Sequence, residues 1–361
     1  MKGLILAGGH GTRLRPLTFT GNKHMIPIAN EPMLFYGLRH LASGGLREVG
    51  IVLGDEHEGI EEAVGDGTPF GLKVTYIHQG APKGLAHAVA CAREFLADDP
   101  FVMYLGDNLL EEGTAPLVGQ YRATPADAII GVTPVEHPSS YGVVEMNGDA
   151  IVSISEKPAQ PKSNLALIGV YLFSPKIHPI IAGLAPSRRG ELEITDAIWK
   201  LHQAGGRVAV RRVNGWWKDT GRPEDLLAAN DLVLRSLPPE RFRNEGTVGP
   251  HARLRGPVRI GPGSTVADGA EIEGPVVLGA NVRVGTGAHI GPGVAVGDRC
   301  ALEGGTVRRS ILMEGAEIRG PVTVTDSILG RAARLTSRGS RPEALTCVVG
   351  DATVIELGPD A

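Results

Sequence analysis

At 361 residues the chain exceeds one typical domain, and two domains are expected. A composition of 42% hydrophobic and 21% charged residues supports a sizeable core and excludes a disordered or fibrous chain. With 36 basic against 40 acidic residues the net charge is −4, so neither a polyanion-binding surface nor a nucleic-acid partner is expected.

In chain order, Met1 to Ala7 is apolar only briefly before Gly8, Gly9 and Arg13, which is too short for a signal segment. No apolar run reaches the roughly 18 residues of a membrane span, so a cytoplasmic protein without membrane contact is expected. Short apolar runs at 4–7, 49–53, 74–77, 101–105 and 128–132 predict strands. Helical patterns lie between them, at 32–43 with Pro32 first and Gly44-Gly45 as stop, and at 85–96. This alternation predicts an α/β fold with a mostly parallel sheet covered by helices, whose ligands bind beyond the carboxyl ends of the strands. A helix at 223–236 closes this half before Pro238-Pro239, with a turn-prone linker at 243–246. The expected domains are therefore 1–240 and 246–361.

The second domain has a different grammar. Val248, Leu254, Ile260, Val266, Ile272, Leu278, Val284, Ile290, Val296 and Leu302 recur at a spacing of six, several of them followed directly by glycine. Such hexads predict a parallel β-helix, each hexad forming one face of a coil. After Leu302 the phase slips and resumes at Leu312, Ile318 and Val324, which suggests a loop inserted into the solenoid. The three cysteines, Cys91, Cys300 and Cys347, are far apart and form no metal-binding or disulfide pattern.

The chemistry concentrates in the first half. Directly after the first strand comes Leu6-Ala7-Gly8-Gly9-His10-Gly11-Thr12-Arg13-Leu14. Its glycines let backbone N–H groups approach a phosphate, and Arg13 adds a fixed guanidinium. It is neither a P-loop nor GxGxxG, and glycines alone would equally mark an ordinary tight turn. Lys23, before Pro27, reaches toward the same phosphates. Leu105-Gly106-Asp107-Asn108 ends a strand with a carboxylate, and Trp216-Trp217-Lys218-Asp219-Thr220-Gly221 sets a second carboxylate before a glycine turn. Singly either aspartate suits a cap or turn; together with the phosphate loop they suit Mg²⁺.

The stretch LAGGHGTRLRPLT with Lys23 and Pro27 resembles the signature of the sugar-phosphate nucleotidyltransferases. The segments QGAPKGLAHAV, LGDN, YGVVE, EKPAQPKSNLALIGVYLF, RGELEITDA and WWKDTG follow in the order found in glucose-1-phosphate thymidylyltransferases, and the hexads resemble the long form. That resemblance implies a Rossmann-like mixed sheet carrying the nucleotidyltransferase site, followed by a left-handed parallel β-helix of hexapeptide repeats. It implies dTTP and glucose 1-phosphate as substrates, Mg²⁺ as cofactor, and dTDP-glucose and pyrophosphate as products. Leu6, Gly8, Gly9, Gly11, Thr12, Arg13, His24, Gln79, Gly84, Asp107 and Asn108 would bind nucleotide, with Gln79 and the Gly84 backbone at the pyrimidine edge. Gly142, Glu156, Lys157 and Leu167 would surround the sugar phosphate, Asp107 and Asp219 would hold Mg²⁺, and Arg13, Lys23 and Lys157 would offset charge during catalysis. Pro158 should keep Lys157 extended.

Glu156-Lys157 would without those motifs be a solvated charge pair, and Trp216-Trp217 core packing. His24 stands where short-form enzymes carry a ligand-touching glutamine; it and His10 are either ligand contacts or exposed loop residues. The nucleophile is an anionic phosphate oxygen, so no general base is expected. The β-helix is expected to mediate assembly into a homo-oligomer, with acetyltransferase activity and a non-catalytic regulatory subunit as weaker readings. A uridylyltransferase is the nearest alternative, because Gln79 pairs equally with uracil.

Overall fold

The computed structural model describes residues 1–55, 57, 59–339 and 344–358, which form two compact units. One unit comprises residues 1–10 and 34–219, the other residues 11–33 and 220–361. Residues 340–343 and 359–361, inside the expected 246–361 domain, lie outside the described residues.

The first unit is built on a nine-stranded mixed sheet. Its strands are β1 (Lys2–Ala7), β2 (Glu48–Leu53), β3 (Lys73–His78), β4 (Phe101–Leu105), β6 (Ala128–Pro134), β7 (Gly142–Asn147), β8 (Ala150–Glu156), β9 (Leu165–Phe173) and β10 (Val208–Arg212). A separate ribbon pairs β5 (Asn108–Leu110) with β11 (Trp217–Asp219). The main order is β8-β7-β9-β4-β1-β2-β3, with β6 also on β9 and β10 on β6. Strands β4, β1, β2 and β3 run parallel, whereas β9 is antiparallel to β4. The reason β1 reads as Leu4-Ile5-Leu6-Ala7 without alternation is that both of its faces are covered, and all four side chains are buried.

Helix α1 (Met33–Ser43) begins one residue after the expected start, because Glu31–Pro32 is a short strand. The expected helix at 85–96 is two pieces, α2 (Leu85–Cys91) and a turn at Arg93–Leu96, meeting at Ala92 with φ −87° and ψ 6°. The apolar face survives that relaxation, since Val89, Ala92 and Leu96 all stay buried. Helix α3 (Ile194–Gln203) packs on the same core.

In the second unit the hexads form three parallel sheets of seven, five and six strands, consistent with the left-handed β-helix that the resemblance implies. Ile260, Ile272, Leu278, Ile290, Val296, Leu302 and Ile318 line one continuous core. The phase slip is not an inserted loop. Leu302, Val307 and Leu312 stack in unbroken register on Val284, Ile290 and Val296. The two faces there are each one residue shorter, and Gly304 and Gly305, at φ +86° and +76°, make the tighter corner possible.

The same unit holds a hairpin, Pro27–Ile28 against Glu31–Pro32, whose turn residues Ala29 and Asn30 are left-handed at φ 48° and 67°. Alanine tolerates that conformation only where the surroundings hold it. Asn230 of helix α4 (Pro223–Ser236) does so, accepting from Ala29 N at 2.9 Å and donating from Nδ2 to Gly293 O at 3.1 Å. Asn30 Nδ2 donates to Val296 O at 2.7 Å, and Thr20 Oγ1 donates to Asp351 Oδ2 at 2.7 Å. Segment 11–33 is thereby tied to the solenoid directly at Thr20 and Asn30, and through Asn230 at Ala29.

No helix among the described residues is long and apolar enough to cross a membrane.

Asn230 is fully buried, so Asn230→Leu should lose about 2–4 kcal/mol by leaving Ala29 N–H and Gly293 O unpaired, read from urea-unfolding midpoints. An unchanged midpoint would mean that neither bond holds the hairpin. His40 Nδ1 lies 3.1 Å from Tyr104 Oη, and burial, assisted by Arg39, lowers its pKa from 6.5 to about 4. The unfolded chain therefore takes up a proton there before the folded one does. Stability should be full above 6.5 and decline as pH falls toward 4, and His40→Gln should flatten that decline in thermal melts.

Candidate functional site

The carboxyl ends of β1 to β4 converge. Leu6 pairs with Leu105 and Ala7 with Leu53, Gly106 N donates to Leu6 O at 3.0 Å, and Gln79 N donates to Leu53 O at 2.8 Å. The chain after each strand therefore starts beside the others. A Cβ on Gly8 would stand 2.8 Å from Gln79 Oε1, and one on Gly54 would stand 2.5 Å from Gly8 O. Only glycine admits that approach, so the expected residues Leu6, Gly8 and Gln79 are brought together. Gly54 was missed by sequence reasoning, its only signal being a glycine directly after a strand. Gly84, at φ +103°, opens α2 where a Cβ would strike the Leu192 backbone at 2.5 Å. Gly9 and His10 are exposed.

The second aspartate is placed through a strand pairing. In the β5–β11 ribbon Asp219 lies opposite Asn108, the neighbour of Asp107. Asn108 is buried and fully engaged. Its Nδ2 donates to Asp107 Oδ1 at 3.0 Å, and its Oδ1 accepts from Gly169 N at 3.0 Å and Trp217 Nε1 at 2.7 Å. Trp217 thus anchors this wall by its indole N–H, with Tyr141 edge-on at 5.4 Å, and is not plain core packing. Gly169 was missed, although a glycine inside the run Leu165–Phe173 signals close approach: a Cβ would sit 2.6 Å from the Asn108 amide.

Gly142, Glu156 and Leu167 form a third group. Glu156 pairs with Gly142 in register, and a Cβ on Gly142 would lie 3.1 Å from Leu167 Cδ1 and 3.3 Å from Glu156 Oε2. Glu156 Oε2 accepts from Thr195 Oγ1 at 3.2 Å, and its Oε1 lies 3.3 Å from Arg189 Nη1 and 3.8 Å from Lys157 Nζ. Arg189 also reaches Glu191 and the buried Glu193, whose carboxyl is pushed up by burial. Lys157 is not extended: its φ is 38°, because Lys157 N donates to Tyr141 O at 3.0 Å as β8 ends. That bond outweighs the extended preference imposed by Pro158. Arg189, Glu193 and Thr195 were not assigned from sequence, since a partner across the fold leaves no local signal.

The remaining expected residues lie in the other unit. Gly11, at φ +60°, would bring a Cβ within 3.0 Å of Lys23 Cβ, so Lys23 lies against the turn that leads to Thr12 and Arg13. Gly221 leaves room for Arg13, whose Nη2 would stand 2.6 Å from a Cβ there. His24 is buried, with Nδ1 2.7 Å from Asn22 Oδ1, so the exposed-loop reading does not hold for it.

The nucleotidyl transferase family matches residues 2–236, and the GMPPB C-terminal domain matches residues 272–357. The chain belongs to the nucleotidyl transferase family. It is 46% identical to a glucose-1-phosphate thymidylyltransferase of Streptomyces griseus over 97% of this chain and 98% of that one. A low-salt glycan biosynthesis nucleotidyltransferase of Haloferax volcanii is 45% identical over 99% of this chain and 100% of its own. A solved UDP-glucose pyrophosphorylase complexed with UDP-glucose covers 65% of this chain and 99% of its own, at 26% identity and a TM-score of 0.58. Nucleotidyl transfer in this family goes with a divalent metal ion, and Asp107, just before the ribbon, and Asp219, opposite Asn108 within it, carry carboxylate oxygens of the kind such an ion takes.

Asn108→Ala should leave Gly169 N–H and Trp217 Nε1 unpaired, costing about 1–3 kcal/mol and shifting tryptophan emission to the red. An unshifted spectrum with an unchanged melting temperature would show that Asn108 does not hold this wall.

Proposed function

We propose that the chain transfers a thymidylyl group from dTTP to glucose 1-phosphate, giving dTDP-glucose and pyrophosphate. The observation that carries the reading is the near-full-length likeness to the Streptomyces enzyme, together with the grouping of Gly8 with Gln79, Asp107 with Asn108, and Gly142 with Glu156. In the proposed roles the backbone of Leu6, Gly8, Gly9, Gly11 and Thr12 lines the triphosphate, with Arg13 and Lys23 neutralising it and His24 shaping the Lys23 turn. Gln79 and Gly84 face the base. Glu156 accepts hydrogen bonds from sugar hydroxyls, with Gly142 and Leu167 beside it, and Lys157 pairs with the sugar phosphate.

A phosphate oxygen of glucose 1-phosphate attacks the α-phosphorus in line, the bond to the bridging oxygen breaks, and pyrophosphate leaves. The nucleophile is already anionic, so no side chain need take a proton. What these residues supply is charge: in this proposal Arg13 and Lys23 offset that of the triphosphate and Lys157 that of the sugar phosphate. Mg²⁺ is the proposed ion, held by Asp107 and Asp219, and when bound it offsets charge on the departing pyrophosphate. The proposal extends to the domain division at 1–240 and 246–361, a cytoplasmic location, and homo-oligomeric assembly through the β-helix.

Purified protein with Mg²⁺ and glucose 1-phosphate should release pyrophosphate preferentially with dTTP when dTTP, UTP, ATP, GTP and CTP are compared. Preference for UTP would move the assignment to a uridylyltransferase, and silence with every nucleotide and a panel of sugar phosphates would overturn it. Asp107→Ala and Asp219→Ala should each lose most turnover with the fold retained by circular dichroism. Arg13→Ala should lose on the order of 10²-fold.

A further inference from the structure

The orientation of the Gln79 side chain is not left to the ligand. Its Nε2 lies 3.3 Å from Gly84 O and 3.1 Å from His87 Nδ1. A carbonyl oxygen only accepts, so the side facing Gly84 must be the amide NH₂. The same NH₂ then faces His87 Nδ1, which must be the unprotonated ring nitrogen. The proton of the neutral imidazole therefore sits on Nε2, and Cys91 Sγ packs beside the ring, 3.7 Å from Nε2 and 3.9 Å from Nδ1. The thiol hydrogen in turn points to the backbone oxygen of Gln79 at 3.9 Å. Burial first, and then the charge of Lys83, lowers the basicity of His87, while burial raises that of the Cys91 thiol, so both groups favour the neutral forms that this arrangement requires.

Gln79 Oε1 is left over. It accepts no hydrogen bond from the described residues, and it points to where a Cβ of Gly8 would be, at 2.8 Å.

We propose that His87, backed by Cys91, is a positioning residue that locks the Gln79 amide with its oxygen outward, so that the site selects nucleobases presenting an N–H donor at the pairing edge. This rests on the proposed function, in which Gln79 faces the base. Thymine and uracil offer N3–H to Oε1. Cytosine presents a lone pair at the same place, and an outward oxygen repels it. Without His87 the amide is free to rotate half a turn and present Nε2 instead. The glutamine then reads either edge, and its contribution to discrimination is lost. Helix α2 thus carries the residue that sets the direction of the amide, one turn and two turns beyond the Gly84 corner, in His87 and Cys91.

The experiment compares full-length protein with His87→Leu, His87→Asn, Gln79→Ala and the double variant Gln79→Ala/His87→Leu, by steady-state kinetics with dTTP and dCTP. His87→Leu should raise KM for dTTP and cut the dTTP-over-dCTP ratio of kcat/KM, each about tenfold, with KM for glucose 1-phosphate kept. His87→Asn places an acceptor oxygen where Nδ1 stood and should restore most of the ratio. In the Gln79→Ala background His87→Leu should add nothing, because its action passes through that amide. An unaltered ratio in His87→Leu, or an equal loss with and without Gln79, would overturn the proposal. Absence of dTTP turnover by the unsubstituted protein would instead sink the function on which it rests.

Discussion

A single buried carboxamide organises the part of the chain that no local rule governs. Asn230 bonds Ala29 N with its oxygen and Gly293 O with its nitrogen, so one side chain of α4 joins a hairpin turn to a coil of the solenoid. Remove it and two backbone groups in the interior lose their partners at once, which is the costly side of hydrogen-bond energetics. The left-handed Ala29 survives because this bond and the neighbouring Asn30 contact over-determine the turn. Segment 11–33 carries Arg13 and Lys23, and its fixation to the solenoid gives the hexad tail a mechanical purpose within its own unit. The solenoid is the surface to which this charged loop is bonded.

In the other unit the recurrent device is the missing Cβ. Gly8 yields space to Gln79, Gly54 to the Gly8 carbonyl, Gly142 to Glu156 and Gly169 to Asn108. At each place a polar group is brought to a strand end that a methyl group would have closed. Asn108 then converts such closeness into fixed direction, by donating to Asp107 while holding Gly169 and Trp217. His87 does the same for Gln79. Both rely on one elementary asymmetry: a carbonyl only accepts and an amide nitrogen only donates, so one known partner settles the rest of a chain of hydrogen bonds.

The hexads show where pattern reading succeeds and where it slips. The aliphatic residues from Ile260 to Leu302 line the solenoid core, because a parallel coil repeats its inward direction at a fixed interval. The interruption after Leu302 looked like an insertion since the spacing changed. In space it is a contraction of two successive faces, turned at Gly304 and Gly305 and then at the left-handed Arg309, while the ladder through Val307 stays in register. Spacing alone does not distinguish a longer corner from a shorter one.

Legible in the residue order were the α/β half, the β-helix, the glycine loop with Arg13 and the two aspartates. These are local in origin: periodicity follows from backbone geometry, and glycine and carboxylate placements follow from what strand ends allow. Only the tertiary structure decided that Arg189 and Thr195 converge on Glu156, that Lys157 turns left-handed under a bond from its amide to Tyr141 O, and that His24 is buried. It alone tied Ala29 to Asn230 and Gln79 to His87. All but the burial of His24 join residues from different elements. The partner's identity is fixed by folding of the whole chain, and a hydrogen bond between distant segments leaves no periodicity in either of them.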